Sequence, residues 1–261
     1  MRTIIFLSSL LFPGAVLSGQ AADSRPFLAL DHTILAVPRL DQAQKQLATF
    51  RFRFKPGRLH SNNLLNSHIK FRDGTSIEPM TVVGPPLDSS AQEYAQLMAS
   101  EPGPVYVAIL TTNLDSVGMA AGMANLTSRR TRIGTGRFLS FPSHSDAAAV
   151  FFGSGWPHPR DPDSLLAHTN GATGLEEAWV EAGPQLETML SLLGAFAGER
   201  VTLPDGREGS RWALGRGALV LVPPRAAGHR LRPVGVILHG QAGHRVPPTL
   251  AFPGFWIGVT N

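Results

Sequence analysis

The sequence predicts an α+β chain built from a repeated β-α-β-β-β unit. Three observations predict it. A segment recurs, first as Leu30–Phe50 (LDHTILAVPRLDQAQKQLATF) and again as Leu175–Phe196 (LEEAWVEAGPQLETMLSLLGAF). Each copy opens on an apolar strand, turns at a proline (Pro38, Pro184), and runs into an amphipathic helix that ends in an aromatic. A period this long marks a structural module used more than once. Each copy is also followed by an Asp-Gly turn signal, Asp73-Gly74 and Asp205-Gly206, as expected between paired strands. Finally, the chain is 43% hydrophobic and 16% charged, a balance that folds rather than staying disordered.

In the first module, Leu30–Val37 reads as a strand and Asp41–Phe50 as a helix. Arg51–Phe54 reads as a short strand alternating basic and aromatic residues. Asn63–Phe71 and Thr75–Val83 read as a hairpin turning at Arg72-Asp-Gly-Thr75. After a Gly84-Pro-Pro86 break comes a short helix around Ala91–Ala99. The second module is weaker. Pro104–Thr111 is a strand, Asn113 can cap a helix from Leu114 to about Asn125, and Arg137–Phe141 and Ala148–Gly153 are strands. Gly153–Thr173 is a long irregular connection, and such loops are often functional. In the third module Arg211–Leu214 and Ala218–Val222 pair as strands. A tail with the strand Val234–His239 starts like a fourth module without its helix.

Residues 1–22 read as a secretory signal. Arg2 leads, Ile4–Leu17 is apolar, and Ser18–Ala22 offers small residues for cleavage. Pro13 and Gly14 interrupt a run already short for a membrane span; an uncleaved anchor is the alternative. The chain has no cysteine, so disulfide and thiolate chemistry are excluded. Export without cysteine suits a bacterial periplasm. The formal charge of +4 is carried by scattered arginines without interleaved aromatics, which argues against nucleic-acid binding. There is no HExxH, phosphate-binding loop, Rossmann fingerprint or G-x-S-x-G elbow. Ser143-His-Ser-Asp146 has the residue types of a triad, but triads assemble from distant segments.

Several segments together resemble the glyoxalase-like domain proteins of the vicinal oxygen chelate superfamily (glyoxalase, bleomycin resistance and dioxygenase proteins). They are Leu30-Asp-His-Thr-Ile-Leu-Ala-Val37, the hairpin from Asn66 through Phe71-Arg-Asp-Gly-Thr-Ser-Ile-Glu78, Ala149-Val-Phe-Phe152 with Trp156 and His158-Pro, and His168-Thr-Asn-Gly-Ala172. The resemblance spans roughly residues 28–222. It implies that paired modules, here residues 28–156, curl into an open barrel. Residues 157–173 would connect this pair to a third module plus partial strand region over 174–261. It also implies a divalent metal that chelates vicinal oxygens of a small molecule.

Carried over by position, His32 and Glu78 fall on metal-ligand positions, with Glu78 also able to move a proton. Zn, Ni, Fe or Mn accepts imidazole and carboxylate together; no metal at all is the other expectation. In module two the same positions fall on Tyr106 and about Ser154, and in module three on Glu177 and about Leu221, so the second ligand pair is absent. The plainer reading makes His32 a hydrogen-bonded core histidine and Glu78 a barrel-lining carboxylate with an arginine partner. His60, Asn66, His68, Tyr106, Trp156 and His168 are expected to line the cavity. Glu177, beside Glu176, reads as a solvated edge. The functional expectation is an exported protein that binds a small oxygenated molecule, as a metal-dependent lyase, isomerase or dioxygenase-type enzyme. The alternative is drug or toxin binding without catalysis, in a groove lined by Trp156, Trp179, Trp212 or Trp256 and often formed in a homodimer.

Overall fold

The computed structural model describes residues 26–155, 161–226 and 228–260. Four modules make two open sheets. Module one comprises β1 (Leu28–Ala36), α1 (Leu40–Ala48), β2 (Lys55–Leu59), β3 (Leu64–Lys70) and β4 (Ser76–Val82). The helix α2 (Ser89–Ser100) leads to module two: β5 (Gly103–Thr111), α3 (Leu114–Met123), β6 (Arg129–Ile133), β7 (Gly136–Ser140) and β8 (Val150–Ser154). A short helix α4 (Asp163–Leu166) precedes module three: β9 (Ala172–Glu181), α5 (Pro184–Leu192), β10 (Phe196–Thr202), β11 (Glu208–Ala213) and β12 (Ala218–Val222). The tail supplies β13 (Pro233–Gly240), β14 (Val246–Phe252) and β15 (Phe255–Thr260), a module without a helix.

The strand orders are β2-β3-β4-β1-β5-β8-β7-β6 and β10-β11-β12-β9-β13-β15-β14. In every module the first and last strands pair parallel, and two modules join through antiparallel first strands, β1 with β5 and β9 with β13. The third module therefore pairs with the tail of its own chain.

Each helix buries one apolar stripe, as helical spacing requires. Ala43 and Leu47 do so in α1, Val117, Ala120 and Ala121 in α3, and Leu186, Met189 and Leu190 in α5. The outer faces of both sheets share one core, with α3 lying against α5. Hydrogen bonds also tie the halves: the Leu30 amide donates to Arg216 O at 2.9 Å, and the Leu175 amide to the Thr75 side-chain Oγ1 at 2.8 Å. Among the described residues no helix is long and apolar enough to cross a membrane.

Two local expectations need correction. Arg51–Phe54 is not a strand. The amides of Thr49, Phe50 and Arg51 close the end of α1 by bonding back to Gln46, Leu47 and Ala48, and Arg51 sits at φ 61°. Phe52 then inserts beside Phe50 and Phe71 instead of alternating along a ladder. Strand β6 went unread because its residues, Arg-Arg-Thr-Arg-Ile, are all exposed on a sheet edge and carry no burial pattern. The expected signal segment, and Trp156 with His158, lie outside the described residues.

Candidate functional site

Register decides which side chains share a face. Ile34 pairs with Glu78 on one side and Tyr106 on the other, and His32 pairs with Ser76 and Ala108. Alternation along strands then puts His32, Glu78 and Tyr106 on one face, together with Asn66 and His68 of β3 and Phe151 of β8. This face is opposite the shared core. Helix α2 covers part of it through Ala91, Tyr94 and Leu97.

Glu78 is at the centre, 8% exposed. Its Oε1 accepts from Asn66 Nδ2 at 2.7 Å and lies 3.9 Å from His68 Nε2. Its Oε2 is 3.5 Å from His32 Nε2. Among the described residues no arginine pairs with it, which departs from the plainer reading of this carboxylate. Asn66 is itself held, because its Oδ1 accepts from the Arg58 amide at 2.9 Å. Gly57 permits that approach: a Cβ there would collide with Asn66 O and Oδ1.

His32 is positioned by a bulge. Leu30 pairs with Ile109 and His32 with Ala108, so Asp31 is the extra residue. Bulges re-aim side chains, and Asp31, 2% exposed, reaches His32 Nδ1 at 2.6 Å. Burial opposes a charge on His32, but the hydrogen bond to Asp31 and the charges of Asp31 and Glu78 outweigh it and raise its pKa. His68 goes the other way. Burial dominates over the pull of Glu78 and brings it down to about 4. A neutral His68 agrees with its Nε2 accepting from Asn66 Nδ2 at 3.3 Å. One carboxylate thus stands between an imidazole inclined to hold a proton and one inclined to lack it. His60, on the loop before β3, also has its pKa lowered, by burial and Arg58, and its Nε2 is buried without a hydrogen-bond partner among the described residues.

Aromatic rings extend the face. Phe151 touches His32 edge-on at 5.9 Å and Tyr106 at 6.1 Å. The Tyr106 hydroxyl donates to Glu93 of α2, and burial holds its phenol protonated. In module two Tyr106 does stand on the first-strand position, but the last-strand position belongs to Phe151, paired with Ala108, and not to Ser154.

Other expectations are corrected too. His168 lies outside this face, between Phe52 and Phe71. Its Nδ1 accepts from the Arg53 amide at 3.0 Å, and its Nε2 lies 2.8 Å from Lys70 O. It ties the connecting segment to module one. Glu177 is not a solvated edge. Its carboxylate meets Arg211 Nε at 2.7 Å and Trp179 Nε1 at 3.1 Å. The residue on the last strand of module three is Val220, paired with Trp179, not Leu221. Trp179 and Trp256 pack together on that second face, while Trp212 joins the shared core. Asp146 caps α5 through the Gln185 amide. A separate open cleft of about 320 Å³ lies between the start of α3 and the β6–β7 hairpin, lined by Arg130, Arg132 and Arg137. It holds none of the acid–base residues described above.

Comparison with known proteins fits this architecture. The model of the glyoxalase-like domain matches residues 30–193. The chain belongs to the glyoxalase-like domain family. A hypothetical protein from Staphylococcus aureus superposes with a TM-score of 0.57 at 12% identity, covering 89% of this chain and 98% of that one. A mutant of 4-hydroxymandelate synthase from Streptomyces coelicolor gives 0.53 at 10% identity, covering 81% and 71%. A variant of homoprotocatechuate 2,3-dioxygenase from B. fuscum gives 0.52 at 11%, covering 84% and 59%. At these identities the likeness is one of fold, that of the vicinal oxygen chelate superfamily. No curated protein matches.

The superfamily implies a divalent metal, and the donors on this face decide whether one fits. His32 Nε2 and Glu78 Oε2 converge, but one Glu78 oxygen and His68 Nε2 are both engaged by Asn66. Among the described residues no three His, Asp or Glu side chains are disposed to hold a metal. A protein-held divalent ion normally has three or four protein ligands. This donor set does not fit a complete metal centre.

Proposed function

We propose that the His32–Glu78 face binds a small oxygenated molecule and moves a proton at a carbon next to its carbonyl. The protein would then act as an exported isomerase- or lyase-type enzyme. One observation carries this reading: a buried carboxylate set 3.5 Å from an imidazole whose far nitrogen is held by a second buried carboxylate. Glu78 is the base. The proton it takes rests on its own carboxyl, while neighbouring His32, with Nδ1 fixed by Asp31, presents an Nε2–H donor to the oxygen on which charge develops. Paired acid and base groups of this kind contribute typically about 10²–10⁴-fold, and a donor aimed at a developing oxyanion adds to that. Asn66 keeps the Glu78 carboxylate in plane and leaves Oε2 available. Phe151, Tyr106 and α2 limit water at the reacting carbon. No step passes through a metal.

A second reading, binding without turnover, is favoured by module two. It supplies Tyr106 and Phe151, aromatic contact surface, where a symmetric site would carry more acid–base groups. The two readings separate in one experiment. Purified chain is incubated in D₂O with a panel of aryl ketones and 2-oxo acids, and loss of the C–H signal is followed by NMR. Exchange by wild type that vanishes in Glu78→Gln supports catalysis. Saturable binding with no exchange supports the second reading.

A further inference from the structure

Arg230, between β12 and β13, comes from outside the family-matched region yet reaches the first sheet. It lies over the Tyr106 ring, with its guanidinium carbon 4.9 Å from the centroid. Its side chain is 17% exposed. Its Nη2 is 3.9 Å from Glu93, and among the described residues neither Nε nor Nη2 has a hydrogen-bond partner. Burying donor groups of a fixed cation without acceptors is costly. The fork matches a carboxylate bidentately. Lys70 is a second cation at this face, but its ammonium lies 3.4 Å from Ser76 Oγ. Arg230 therefore offers unused donors, three successive ring contacts away from His32 through Tyr106 and Phe151.

We propose that Arg230 is the specificity residue of this face and that the molecule it takes is a small carboxylate, with its anionic end on the Arg230 fork. This rests on the reading of the His32–Glu78 face as a small-molecule site. Glu93 is the resident counter-ion: it holds the Tyr106 hydroxyl and sits near Arg230 without satisfying it. A ligand carboxylate completes the fork and leaves the carbonyl end directed along the aromatic wall toward Glu78. The C-terminal half, through this one side chain, selects what the N-terminal sheet binds.

The test uses benzoylformate and its methyl ester, a pair differing in charge, titrated calorimetrically into the full chain. Wild type should bind the acid saturably and the ester at least tenfold more weakly. Arg230→Gln should lose at least tenfold for the acid. Arg230→Lys should fall between, since charge remains but the fork does not. Arg232→Gln removes a neighbouring cation that faces Glu101 at 3.9 Å, and should stay within twofold. Melting curves verify folding, and Arg230→Lys keeps the test open if Arg230→Gln does not fold. Equal binding of acid and ester, an unchanged constant in a folded Arg230 variant, or no saturable binding of the acid would overturn the proposal. Glu78-dependent exchange alongside equal binding of acid and ester would sink this inference and leave the proton-transfer reading intact.

Discussion

His68→Gln should make the protein more resistant to acid, and the size of the effect follows from the structure. In the folded chain His68 is brought down to about 4 from its ordinary 6.5, chiefly by burial. Above pH 6.5 it is neutral folded and unfolded, and its contribution to stability is fully present. As the pH falls from 6.5 toward 4 the unfolded chain takes up a proton that the folded chain refuses. Stability drops by about 1.4 kcal/mol per pH unit over this window. The total reaches roughly 3 kcal/mol by pH 4, where the loss levels off. Glutamine cannot titrate and retains a group that Asn66 can meet. The assay is urea denaturation of wild type and His68→Gln at half-unit steps from pH 7.5 to 4. The two stabilities should diverge below pH 6.5 by up to roughly 3 kcal/mol in favour of the variant. Parallel curves would refute the reasoning. His32 does not confuse the result. Its folded pKa is raised, so its contribution is fully present below 6.5 and is lost as pH rises through the folded value.

Three further outcomes are expected. Asp31→Asn removes the charge that helps raise His32 and weakens the hydrogen bond to Nδ1, so the His32 imidazole should titrate lower by NMR than in wild type; an unchanged titration would contradict the role given to the bulge. Gly57→Ala drives a Cβ into the backbone and side chain of Asn66, whose amide steadies Glu78, and should slow Glu78-dependent exchange by roughly tenfold, equivalent to about 1.4 kcal/mol, and lower the melting temperature as well. Arg211→Met leaves Glu177 with only the Trp179 indole and should cost roughly 2–3 kcal/mol in urea denaturation, somewhat less than for a fully buried pair. It should leave ligand binding at the first sheet alone, since Arg211 lies on the second.

The modules were legible because their signals are local. The strand–proline–helix segment and the Asp-Gly turns are read over a few residues, and Gly74 and Gly206 take the positive φ those turns need, 90° and 83°. His32 and Glu78 were legible through resemblance, since nothing in the spacing alone brings β1 and β4 together. What escaped depends on register. Counting along the chain placed Ser154 and Leu221 where pairing puts Phe151 and Val220, and a slip of any odd number of residues turns a side chain to the other face. The bulge at Asp31 recurs at Glu176, between Leu175 and Glu177, but neither Leu-Asp-His nor Leu-Glu-Glu announces it. The Glu177–Arg211 pair and the reach of Arg230 to Tyr106 join segments far apart in sequence, and His168 was misplaced for the same reason. Its partners Arg53 and Lys70 belong to module one.

The central claim is that the protein's own acid–base pair, Glu78 with His32, moves the proton. The most direct measurement is the D₂O exchange rate before and after exhaustive chelation, followed by reloading with Zn, Mn, Fe(II) or Ni in turn. The predicted result is a rate unchanged by chelation and reloading, and abolished in Glu78→Gln. A rate lost on chelation and restored by one of the metals would contradict it.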